Sequence, residues 1–73
     1  MNFKPHTKDE LKKLNLVEDK IYTIEYLNKD YFNGEDTLEI TKAKMFFNDD
    51  KFIFIVPDPY GMDRFITNVR VIL

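Results

Sequence analysis

The chain has 73 residues, 44% of them hydrophobic, 15% aromatic and 33% charged, with a net charge of −2 at pH 7. This composition excludes a disordered chain, which would be poor in aromatics, and the length leaves room for one small domain only. The absence of cysteine rules out disulfides, thiolate nucleophiles and cysteine-based zinc sites.

Thr7-Lys8-Asp9-Glu10 has the form of a capping box, in which a Thr hydroxyl and a Glu carboxylate satisfy the free backbone donors at a helix start. A short helix over 8–14 is expected, with Leu11 and Leu14 on one face as a lid on the end of a sheet. Asn15 is its stop, and Val17-Glu18-Asp19 turns the chain. Tyr22, Ile24 and Tyr26 alternate with Thr23 and Glu25, which predicts a strand over 20–27 with one wet face. The polar stretch 28–36 holds the turn dipeptide Asn33-Gly34, with Tyr31 and Phe32 as an apolar centre.

A second strand is expected over 37–47, but its apolar phase changes. Leu38 and Ile40 are even-numbered, whereas Ala43, Met45 and Phe47 are odd. A bulge or bend near Thr41 or Lys42 would shift the phase in this way. Asn48-Asp49-Asp50 reads as a tight hairpin into Phe52-Ile53-Phe54-Ile55-Val56, a strand apolar on both faces and therefore expected at the centre of the sheet. Two prolines and Gly61 make 57–63 a loop. Phe65-Ile66 and Val69-Arg70-Val71-Ile72-Leu73 resume the strand pattern around a break at Thr67-Asn68.

The predicted core is Ile24, Leu38, Ile40, Met45, Phe47, Phe54, Val69 and Val71, joined by Phe52 or Ile53. The order of elements, a short N-terminal helix followed by about five antiparallel strands, predicts a mostly β fold. In pattern it is similar to SH3-like small barrels, with a β-sandwich fragment or an open antiparallel sheet as the alternatives, and no motif goes with the similarity, so it implies no functional residues.

The chemistry-bearing residues are few. His6 is the only histidine and the chain contains no serine, so no nucleophilic triad of the ordinary kind can form, and His6 reads as a solvated linker residue. Asp49, Asp50, Asp58 and Asp63 lie in loops at spacings that match no calcium or phosphate motif, and two distant glycines make no phosphate cradle. No catalytic residue, metal site or cofactor is expected. The first few residues contain no apolar signal core and no run approaches the roughly 20 residues of a membrane span, which leads to the expectation of a cytoplasmic protein with no membrane partner.

Two binding surfaces can be read from the sequence. Tyr60 and Met62 sit between prolines and Asp63 in a loop with little core to reach, and with Tyr31 and Phe32 they form the expected protein-binding set, since aromatics and Met are enriched at interfaces. Lys42, Lys44, Arg64 and Arg70 form the alternative, a nucleic-acid-binding face in which cations would neutralise phosphates beside Tyr22 or Tyr26. The acidic total favours the first. Lys, Asn, Ile, Phe and Tyr fill 33 of the 73 positions, a bias towards codons rich in A and U. The expectation is a non-enzymatic protein-binding factor, monomeric or homodimeric, of the kind that phages and mobile elements use to inhibit or modulate a host complex.

Overall fold

The computed structural model describes residues 3–29, 34–57 and 61–73. A helix α1 (Lys8–Lys13) precedes five strands: β1 (Ile21–Lys29), β2 (Asp36–Asn48), β3 (Lys51–Val56), β4 (Arg64–Ile66) and β5 (Val69–Ile72). All neighbouring pairs are antiparallel, and the strand order is β4-β3-β2-β1-β5. Among the described residues no helix is long and apolar enough to cross a membrane.

The local signals act as expected at several points. The Thr7 hydroxyl accepts from the Glu10 N–H, and the Glu10 carboxylate accepts from the Thr7 N–H at 2.9 Å, so the capping box is formed in both directions. Asn15 and Asp19 both adopt positive φ, ending the helix and turning the chain into β1. Asp49 and Asp50, at φ 50° and 62°, make the two-residue turn of the β2–β3 hairpin. Left-handed backbone at both turn positions matches the twist of the strands they join, and Asp tolerates it better than most residues. Lys8 forms an ion pair with Asp50 and so ties α1 to this turn.

β4 and β5 occupy opposite edges of the sheet, yet only Thr67 and Asn68 separate them in the chain. Three Cα–Cα steps span at most about 11 Å, so the sheet must roll until its edges approach. A second contact requires the same curvature. The Arg64 guanidinium on β4 donates to the Asn28 side chain on β1 at 2.8 Å, across three strand spacings that would measure about 14 Å in a flat sheet. A closed SH3-like barrel would need a β4–β5 ladder, and none is present among the described residues. The fold is a rolled, open antiparallel sheet.

Rolling gives the sheet an inner and an outer face. Ile24, Tyr26, Ala43, Met45, Phe54, Val56, Val69 and Val71 point inward and form one buried cluster, which Leu11 of α1 closes from one end. Five of the predicted core residues are in it. Three others, Leu38, Ile40 and Phe47, are exposed. The expected bulge at Thr41 or Lys42 is also absent, because β2 pairs with β1 in one unbroken register from Ile21↔Lys44 to Lys29↔Asp36. The phase change in β2 is therefore not the work of an inserted residue. It marks a switch in which face carries the apolar residues: odd positions 43 and 45 fill the inner face, while Leu38 and Ile40 lie on the outer face. β3 lies inside the sheet between β4 and the middle strand β2, and its outer residues, Ile53 and Ile55, are half-buried.

His6 is not a solvated linker residue. Its N–H donates to the Val69 carbonyl at 2.8 Å, and its Nδ1 accepts from the Val71 N–H at 3.0 Å. The imidazole thus stands where the carbonyl of a sixth strand would, satisfying the free edge of β5.

Candidate functional site

The polar cluster with the most connected geometry lies at the mouth of the inner face. The Tyr26 hydroxyl donates to one Glu39 oxygen at 2.9 Å, and the Asn28 amide donates to the other at 3.1 Å. Arg64 in turn donates to Asn28. The bonds from Asn28 and Tyr26 hold the Glu39 carboxyl below its ordinary range, with a smaller contribution from the Arg64 charge. Burial, then the bond and charge of Glu39, push the Tyr26 hydroxyl up. Glu39 is thus a weaker base and Tyr26 a weaker acid than in water, and each already occupies the other. The hydrogen bonds link β1, β2 and β4 across the roll. No grouping suited to holding a metal ion occurs among the described residues.

The outer face differs in kind. Directly opposed residues in an antiparallel sheet share a face, so the register places Ile21, Lys44, Ile55 and Phe65 in one row across β1, β2, β3 and β4. Phe46 and Ile53 form the neighbouring row on one side. On the other side stands Ile72-Thr23-Lys42, and beyond it Arg70-Glu25-Ile40. No element packs on this face among the described residues. Phe65 is 71% exposed, Ile40 63% and Ile21 58%. The Lys44 ammonium lies 3.5 Å from Asp19, whereas Lys42 has no ion pair among the described residues.

In the protein-binding set, Met62 is described and 76% exposed, one residue from the start of β4; Tyr60, Tyr31 and Phe32 lie outside the described residues. In the basic set, Lys42, Lys44 and Arg70 share the outer face, but Arg64 opposes buried Val56 and faces inward to its bond with Asn28. The tyrosines proposed to stack on bases also face inward. Tyr22 accepts a bond from the Val17 N–H at 2.7 Å, and Tyr26 is buried.

The exposed apolar rows were missed as a site. Their signal lies in the sequence as an excess of apolar residues on the wrong phase, Leu38 and Ile40 in β2 and Ile53 and Ile55 in β3. It reads as core for as long as both faces of the sheet are assumed to be covered. The role of His6 had no local signal, because its partners are on β5.

Comparison of the chain with protein-family models, curated proteins and solved structures gave no match in any of the three.

Proposed function

We propose that this chain is a non-enzymatic protein-binding module, built as a small SH3-like roll and working through its outer sheet face and the adjoining segment at Met62. The supporting observation is the uncovered row Ile21-Lys44-Ile55-Phe65 with its exposed neighbours. Contiguous apolar surface of this sort is costly to leave in water and typically marks a protein contact. The strand order and the two-residue link between the sheet edges support the barrel-like reading of the architecture. The chemistry at the mouth supports the non-enzymatic part, since its acid and base are spent on each other.

The test is affinity capture from the native host with quantitative mass spectrometry, comparing the wild type with the Phe65→Ser/Met62→Ser double variant. Both side chains are exposed, so the variant should melt near the wild type. The expected result is a protein retained in stoichiometric amount by the wild type and lost from the variant. Retention of nucleic acid alone, or of the same protein by both forms, would overturn the assignment.

A further inference from the structure

The outer face contains a shallow groove over β2. Ile21 on β1 and Ile55 on β3 form its two sides, Phe46 lies in its floor and Pro57 closes one end, while Lys42 and Lys44 rise from β2 between them. Asp63 stands on the rim. We infer that this groove takes an acidic amphipathic segment of a protein partner, with an apolar side chain among Ile21, Phe46 and Ile55 and carboxylates on Lys42 and Lys44. The inference rests on the protein-binding reading above and names the chemistry of the partner.

The deciding consideration is the position of the two ammonium groups. Long Lys stems can lie along apolar surface while their heads stay in water. Any partner that covers the apolar floor must also take those heads out of water, at a cost that only opposite charge can offset. A neutral or basic apolar segment leaves the Lys42 cation unmatched, and Lys44 with only its 3.5 Å contact to Asp19. A second copy of the same face would set lysine against lysine, which disfavours a face-to-face dimer.

Nucleic acid meets the charge but not the floor. A single strand needs successive aromatic rings on which bases stack. Tyr22 and Tyr26 face the other way, and Phe65 is the one exposed ring on this face among the described residues.

The experiment is selection of random displayed peptides on the immobilised wild-type protein, followed by fluorescence anisotropy of a labelled winner. Single-stranded oligo-dT is titrated in parallel. Selected sequences should combine Asp or Glu with Leu, Ile, Phe or Met. The winner should lose at least about tenfold in affinity on Lys42→Glu/Lys44→Glu, and several-fold on Ile21→Ser. These positions are exposed, and thermal melts confirm that the variants fold. The neutral pair Lys42→Gln/Lys44→Gln should fall between wild type and the charge reversal. Winners without acidic residues, or winners bound equally by the charge-reversed protein, overturn the inference. If a protein captured from the host by the wild type is bound equally by Lys42→Glu/Lys44→Glu, the acidic-segment inference fails while the protein-binding function stands. Oligo-dT bound more tightly than any peptide overturns both.

Discussion

The inner and outer faces of the sheet are drawn from the same strands and both carry apolar residues, yet they do different work. On the inner face Phe54 and Ile24 are fully buried, and among the described residues no buried side-chain polar atom lacks a partner. On the outer face Phe65, Ile40 and Ile21 remain in water beside lysines. Hydrophobic residues thus carry two meanings in one strand, and packing alone decides which. The inner face supplies the stability of the fold. The outer face is largely free of that duty and is open to be used for recognition.

Substitutions on the two faces should therefore separate by size. Phe54→Ala removes a fully buried ring from the centre of the inner cluster and should cost about 3–5 kcal/mol, enough to unfold a domain of this size in thermal or urea melts. A variant that melted like the wild type would break the division at its root. The next largest effect is expected at the edge of β5. His6→Ala leaves the Val71 N–H without its acceptor and should cost about 1–3 kcal/mol. His6→Asn, which can place an oxygen near the Nδ1 position, should recover part of that loss in the same melts. Thr7→Ala removes the helix cap and should cost about 1 kcal/mol, since α1 contributes chiefly by seating Leu11. The smallest effects belong to the outer face. Ile40→Thr and Phe65→Ser should stay within about 0.5 kcal/mol of the wild type. A large destabilisation from either would mean that the outer face is covered in the folded monomer.

The sequence showed the elements well and their surroundings poorly. The capping box at Thr7–Glu10, the Tyr22/Ile24/Tyr26 alternation, the Asp49-Asp50 turn and the break at Thr67-Asn68 all depend on neighbours within a few residues, and each is found in the structure. Leu38 and Ile40 went wrong because a period-two pattern states that a strand has two faces but not which face is covered, whereas Phe47 is on the inner face opposite Phe52 but near the end of β2, where it stays 42% exposed. The apolar residues of β2 were therefore forced onto one side, and a bulge was invoked to bring them there. For the candidate site, Lys42 and Lys44 were correctly placed together, being two apart on one strand. Arg64 was not, because its face is set by pairing with Val56, and that pairing follows from the register of β3 and β4. The participation of His6 depends on backbone groups some 65 positions away, beyond the reach of any local pattern.

The same distance has a consequence for the order of folding. The β1–β2, β2–β3 and β3–β4 ladders join consecutive strands, and each can form as a hairpin. The docking of β5 on β1, and of residue 6 on Val69 and Val71, must wait until nearly the whole chain has been gathered. Contacts that close long loops gain little early in folding and belong after the rate-limiting barrier. Loss of the imidazole should then leave the refolding rate almost unchanged and speed unfolding, so that in stopped-flow measurements His6→Ala shifts only the unfolding arm of the chevron. His6 acts as a late fastener, and its grip sets how long the roll stays shut more than how fast it forms.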